Sequence, residues 1–200
     1  KKGGVLVGFR EKNSGFIMDM ENCKVINQSV SSLIIPLRQM LTSLGAASDI
    51  PQIEVAVGDP PAGALENNTI ALVFRHLVDL SERDIELIKN FGTTNGIDIY
   101  LQPGGIDSVK KISNDSGKQR LYYSLPAYSL KLGFHPMDFT QINGEMNIMI
   151  VDRVVEMLDL QEDDSVLDLF CGLGNFTLPI ATKVNSVTGV EASQEMVERA

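Results

Sequence analysis

One stretch, Asp168-Leu169-Phe170-Cys171-Gly172-Leu173-Gly174-Asn175, constrains this chain more than any other. Together with Ser165-Val166-Leu167 before it, the run to Phe170 has the mostly apolar character of a strand buried on both sides. A helical pattern follows from about Phe176 to Val184, and the next strand is expected at Ser186–Val190. Glycines just past a strand let the backbone turn tightly and approach a ligand closely, and the following helix presents unpaired amides. Upstream, Asn143 reads as the N-cap of a helix in which Met146, Ile150, Val154 and Leu158 share one face, with Val151 and Val155 beside them. Helix–strand–helix–strand with tight turns is the beginning of a doubly wound α/β sheet.

The chemistry of the loop narrows the ligand. Glu191, at the carboxyl end of the second strand, can accept hydrogen bonds from both hydroxyls of a ribose. Asp168 either orients loop amides or simply ends its strand. A dinucleotide fingerprint requires a third glycine where Thr177 stands, and a phosphate-binding P-loop requires Gly-Lys-Ser/Thr, which is missing. S-adenosylmethionine carries no phosphate, so its loop needs close approach without the full glycine set, and it fits best. The bland alternative is an ordinary strand–turn–helix corner.

Ahead of this region, strands are expected at Val5–Phe9, Gly15–Asp19, Ile53–Val57, Thr69–Leu77, Ile97–Leu101, Leu121–Leu125 and Tyr128–Leu132. Apolar residues from Val30 to Leu44 recur at helical spacing, with Pro36 either kinking that helix or marking a start within it. Ser81 followed by Asp84 caps a second helix, expected to close at Gly92. The spacing predicts a smaller α+β domain over residues 1–133 and the start of a Rossmann-like α/β domain over 134–200. The net charge of −9 counts against RNA binding by this piece alone, since nucleic-acid affinity leans on Lys and Arg. No apolar run approaches the roughly 20 residues that span a bilayer. Cys23 and Cys171 are the only cysteines, so no disulfide framework is implied, which fits a reducing cytoplasm. His76 and His135 have no sequence partners suggesting a metal or a triad, and Met18, Met20, Met146 and Met149 read as core filler.

The run from Val166 to Pro179 resembles motif I of the RNA uracil-5 methyltransferases, in its long form with Phe-Cys-Gly and Asn-Phe-Thr-Leu. Phe139-Thr140-Gln141-Ile142-Asn143 is similar to that family's Phe-x-Gln-x-Asn segment. Gly8-Phe9-Arg10 and Glu21-Asn22-Cys23 resemble the stretch leading to the last cysteine ligand of an iron–sulfur cluster in the RumA-type branch, which methylates a uridine of 23S ribosomal RNA. The resemblance implies a Rossmann-like methyltransferase fold and S-adenosylmethionine as cofactor. Gln141, Phe170, Asn175 and Glu191 would contact it, Asp168, Gly172 and Gly174 complete the expected cofactor-binding set, and Cys23 would be the fourth ligand of a [4Fe–4S] cluster. In that family a cysteine thiolate adds to carbon 6 of the uracil, carbon 5 takes the methyl group, and a base removes the carbon-5 proton before release. Adding the thiolate makes sense, since carbon 5 is a poor nucleophile until its neighbour is attacked.

The departures from the family are equally specific. The other cluster cysteines would lie upstream of Lys1, and the nucleophilic cysteine and base beyond Ala200. Cys171 sits inside the cofactor loop and is not the nucleophile. The chain is therefore expected to be a piece of a longer protein, without cluster or catalysis on its own and with one sheet edge open. The expected partner is ribosomal RNA, with no membrane and no DNA, and the expected location is cytoplasmic. Transfer RNA as substrate, a small-molecule methyltransferase sharing the cofactor fold, and a plain RNA-binding module remain as alternatives.

Overall fold

A computed structural model describes residues 4–60, 68–113 and 120–199; most of the connection between the strands expected at Ile53–Val57 and Thr69–Leu77 lies outside the described residues. The chain divides into two compact units, Lys1–Gln119 and Arg120–Ala200.

The first unit opens on an irregular hairpin rather than the two strands expected. Glu11 N–H donates to Phe16 O (3.0 Å), Met18 N–H to Phe9 O (2.9 Å) and Met20 N–H to Val7 O (3.1 Å). Each facing pair thus makes one backbone bond, and only Arg10 and Ile17 form a bridge. The Arg38 guanidinium holds the hairpin's outgoing arm through Asp19 at 2.7 Å and the Met20 carbonyl. Helix α1 (Gln28–Ser31) is capped by Asn27, and α2 (Ile34–Thr42) starts anew beyond it. Pro36 therefore sits in the first turn of α2, where its missing N–H leaves no bond unmade. Then come β1 (Gln52–Gly58), β2 (Thr69–Arg75), α3 (Glu82–Asn95), β3 (Asp98–Gln102) and β4 (Lys110–Lys111).

The sheet order is β1-β2-β3-β4, with β2 and β3 parallel across α3 and the outer pairs antiparallel. Strand β2 is apolar without alternation, as a strand covered on both faces should be, and Ile70 to Phe74 are all buried. Leu72 and Phe74 pack with Leu37 and Leu41 of α2 and Ile88 and Phe91 of α3. The Asp84 carboxylate accepts from the amides of Gly45 (2.9 Å) and Ala46 (3.2 Å), fixing the turn that leaves α2. Helix α3 does not close at Gly92. It runs on to a left-handed cap at Gly96 (φ +64°), and Gly92 is the point where it crosses β3. A Cβ there would lie 2.5 Å from Ile99 Cγ1.

The second unit contains β5 (Leu121–Leu125), β6 (Leu130–Phe134), α4 (Gly144–Leu158), β7 (Ser165–Leu169), α5 (Thr177–Ala181), β8 (Ser186–Val190) and α6 (Gln194–Arg199). The expected boundary after residue 133 moves upstream, because the β5–β6 hairpin packs Leu125 and Leu132 against Val151 and Val155 of α4 and Ile180 of α5. Strand β6 starts at Leu130, after the left-handed Ser129, rather than at Tyr128. The buried stripe of α4 is Asn147, Val151 and Val155; Met146 and Ile150, placed inward by the spacing, stand half-exposed. The apolar pattern there is broad enough for either face, and a polar partner for Asn147 decides between them. Strands β7 and β8 are parallel in two-strand register, with Asp168 opposite Gly189. Strand β7 is not buried on both sides: Leu167 and Leu169 are 59% and 58% exposed, while Val166 and Val187 face the helices. The βαβ order with α4 ahead of it is the α/β opening that the sequence predicts. Among the described residues no helix is long and apolar enough to cross a membrane.

Candidate cofactor-binding site

The loop from Phe170 to Asn175 leaves the sheet by three left-handed residues: Phe170 (φ +62°), Gly172 (φ +56°) and Gly174 (φ +88°). Glycine takes that conformation freely; Phe170 does not, and such a residue persists only where its surroundings enforce it. Here the amides of Phe170 and Cys171 both donate to the Val190 carbonyl, at 2.7 and 3.1 Å, hooking the turn onto the end of β8. The Phe170 side chain is left 83% exposed. Gly174 N–H donates back to Cys171 O at 2.9 Å and completes the turn. Cys171 rests on β8, where a Cβ at Gly189 would come within 2.9 Å of its Sγ. It is a packed thiol beneath the loop.

Glu191 joins the two strand ends. One carboxylate oxygen accepts from Gly172 N–H at 2.9 Å and the other from Ser193 N–H at 2.9 Å. These amides, Ser193's first and then Gly172's, hold the carboxyl below the usual carboxylate range against a smaller opposing effect of desolvation. Each oxygen retains acceptor capacity, so an ionised Glu191 can still take two hydroxyl donors. Asp168 points elsewhere: its Oδ2 accepts from the Thr177 hydroxyl at 2.5 Å, tying the end of β7 to the first residue of α5.

Asn175 is engaged on both sides of its amide. Its Oδ1 accepts from the Tyr123 hydroxyl at 3.1 Å and from Asn147 Nδ2 at 3.0 Å, while its Nδ2 donates to Asn147 Oδ1 at 2.9 Å. Burial raises the Tyr123 phenol to about 12, which keeps it a neutral donor. Sequence reasoning missed both partners. The available signal was an asparagine in the apolar stripe of α4, one turn beyond the Asn143 cap, since a buried amide demands a partner.

Gln141 is exposed in the loop just ahead of Asn143, whose side chain caps α4 through Met146 N–H at 3.0 Å. The structure thus gathers Asp168, Phe170, Gly172, Gly174, Asn175 and Glu191 at the carboxyl ends of β7 and β8, with Gln141 on the approach to α4. Cys23 belongs to the first unit, half-buried and free, its N–H donating to Ser31 Oγ at 2.8 Å. His76 Nδ1 bonds Val78 O at 2.8 Å, and His135 Nδ1 accepts from Met137 N–H at 3.3 Å.

A nucleoside bearing a sulfonium fits this arrangement: a charged acceptor pair for vicinal hydroxyls, glycine backbone for close approach, and an accessible aromatic ring. The residues do not fit an iron–sulfur centre by themselves. Two cysteines cannot supply four thiolates, and no group of three metal-ligating side chains occurs among the described residues.

Known proteins match this architecture throughout. The chain is 44% identical over all 200 residues to a 23S rRNA (uracil(1939)-C(5))-methyltransferase, RlmD, of Bordetella pertussis, spanning 41% of that protein. It is 46% identical over 198 residues to the protein of the same name from Alcanivorax borkumensis, covering 99% of this chain and 43% of the relative. The chain therefore spans about two fifths of these relatives. The fold is that of the tRNA (uracil-54, C5)-methyltransferase of Pyrococcus abyssi, solved in complex with S-adenosyl-L-homocysteine. The TM-score is 0.65 at 20% identity, over 97% of this chain and 48% of that one. The family model described as tRNA (uracil-5-)-methyltransferase matches residues 65–200, taking in the glycine loop and both strand ends around it. With motif, fold and family match in agreement, the chain belongs to the tRNA (uracil-5-)-methyltransferase family.

Proposed function

We propose that this chain supplies the S-adenosylmethionine-binding part of a cytoplasmic enzyme that methylates carbon 5 of a uridine in 23S ribosomal RNA. The observation that carries the reading is Glu191: an ionised carboxylate held by the Gly172 and Ser193 amides at the junction of the two strand ends. The cofactor, when bound, supplies an electrophilic methyl group on its sulfonium. Glu191 accepts the two ribose hydroxyls, Gly172 and Gly174 let the backbone approach, the Phe170 ring offers an apolar surface to the adenine, and Gln141 closes the site from the α4 side. Asp168 acts through Thr177 on the start of α5 rather than on the ligand.

Cys171 is not the nucleophile, because its sulfur is turned onto Gly189 beneath the loop. The thiolate that adds to carbon 6 and the base that removes the carbon-5 proton belong to residues outside this chain. Cys23 serves as one ligand of an iron–sulfur cluster whose other thiolates also come from outside it. The names of the relatives, matched along nearly all of this chain, favour 23S ribosomal RNA, while the family description favours transfer RNA. A methylation assay with the complete enzyme and S-adenosylmethionine separates the two. 5-Methyluridine formed in unmodified 23S RNA supports the first reading, its formation in transfer RNA alone supports the second, and its absence from both refutes uracil chemistry.

A further inference from the structure

Asn147 is a polar residue buried in the apolar stripe of α4, 5% exposed between Val151 and the capped end of the helix. A buried amide left unpaired costs about 1–3 kcal/mol, so its retention among valines calls for a use. Its side chain pairs with Asn175, the residue that ends the glycine loop, and the two amides exchange hydrogen bonds reciprocally at 3.0 and 2.9 Å. Turning either amide over by itself would set oxygen against oxygen and nitrogen against nitrogen, so each fixes the other. Tyr123, from β5, adds a third bond to Asn175 Oδ1.

We infer that Asn147 and Tyr123 are positioning residues for cofactor binding, and that the Asn175 side chain serves as their anchor. This rests on the S-adenosylmethionine reading above. The anchor grips the far end of a turn whose other bonds are Gly174 N–H to Cys171 O and Gly172 N–H to Glu191. Holding Asn175 holds Gly174 in its left-handed conformation, and this aims the Gly172 amide at the carboxylate that takes the ribose. On the other side, Asn147 N–H donates to Asn143 O, so the same pair sets the start of α4 and the loop carrying Gln141. Two separate stretches of the site are thereby registered by one buried amide pair.

Four variants of the full chain test this: Asn147→Ala, Asn175→Ala, the double variant, and Val151→Ala. The last trims the same buried stripe without touching the amide pair. Amide hydrogen exchange at Gly172 and Gly174 gives a readout that needs no cofactor, and calorimetric titration with S-adenosylhomocysteine gives the second. The inference expects faster exchange at both glycines and binding weakened about tenfold, the equivalent of one lost buried hydrogen-bonded contact. It also expects the double variant to be no worse than either single one, because both remove the same anchor. Val151→Ala should lower the melting temperature while leaving both readouts in place. The inference is overturned if Asn147→Ala only lowers the melting temperature, as Val151→Ala does, or if the two asparagine effects add. Glu191→Gln distinguishes the underlying reading. If wild-type chain binds S-adenosylhomocysteine no better than Glu191→Gln, the cofactor reading fails. If it binds better but Asn147→Ala matches wild type in both readouts, only the anchor is refuted.

Discussion

Both units contain the same motif, two parallel strands joined by a helix, and use it differently. In the first, β2–α3–β3 is enclosed: Leu72, Phe74, Ile88 and Ile99 are all essentially without solvent contact. Its crossover helix runs 14 residues, with a Ser81 cap and a left-handed glycine at the end. In the second, β7–α5–β8 has a crossover helix of five residues with no side-chain cap, and β7 leaves every other residue exposed. The first copy places its apolar surface in a core. The second commits its strand ends to a loop of three left-handed residues and a bound carboxylate. One motif thus serves stability where both faces are covered, and ligand chemistry where its carboxyl ends are open.

The sharpest way to break that contrast is to truncate matching positions. Phe74→Ala in β2 should cost about 3–5 kcal/mol, the range for removing a fully buried aromatic ring. Leu167→Ala in β7 should stay within about 0.5 kcal/mol, as substitutions at exposed positions do. Urea unfolding followed by circular dichroism measures both. Equal costs would mean that the faces of β7 are as covered in solution as those of β2. A smaller effect is expected at the helix–strand crossing of the first unit. Gly92→Ala forces a methyl to 2.5 Å from Ile99 Cγ1, an overpacking of about 1–3 kcal/mol. The corresponding Gly189→Ala presses on Cys171 at 2.9 Å, so its effect should appear in S-adenosylhomocysteine affinity and not only in stability.

How much of this was legible depends on whether the deciding interaction was local. Motif I, the Asn143 and Ser81 caps and the β8 boundaries are set by residues within a few positions of one another, and the structure has them where the sequence put them. The end of α3 was misplaced because Gly92 looks like a stop signal and is in fact a packing contact with Ile99, visible only once β3 lies beneath it. The buried face of α4 lies one position from the expected Met146, Ile150, Val154 and Leu158, because it includes Asn147, a polar residue that an apolar pattern does not count. Its partner Asn175 lies 28 residues after it, and no periodicity reaches that far. The domain boundary failed for the same reason: the β5–β6 hairpin reads as a continuation of the preceding strands, and only packing on Val151 and Val155 assigns it to the second unit.

Glu191 offers a pH test of the open copy of the motif. The Ser193 and Gly172 amides depress its carboxyl, so the charged form is favoured in the folded chain. Its contribution to stability is present above the unfolded value of about 4.3 and is lost as pH falls through the lower folded value. Affinity for S-adenosylhomocysteine should therefore stay flat from neutral pH through the ordinary carboxylate range and decline only below it. Glu191→Gln should remove this dependence and weaken binding on the order of tenfold. A decline already centred at or above the ordinary carboxylate value would show that the amides do not hold Glu191 in solution.

The smallest effect, and the most discriminating for how the loop is built, is expected at Thr177. Its hydroxyl is the link between Asp168 and the first residue of α5, so Asp168 can influence the ligand only through that helix start. Thr177→Val keeps the shape and removes the donor, leaving a partly exposed carboxylate that water can satisfy in part, so the expected loss is about 1 kcal/mol or less. If Asp168 merely anchors α5, Thr177→Val and Asp168→Asn should lower the melting temperature alike and leave S-adenosylhomocysteine affinity within about twofold, the limit set by additivity at independent sites. If Asp168→Asn instead weakens binding far more than Thr177→Val does, the carboxylate must reach the ligand itself. In that case the open copy would use an acid at the end of each strand, where the present geometry gives that role to Glu191 alone.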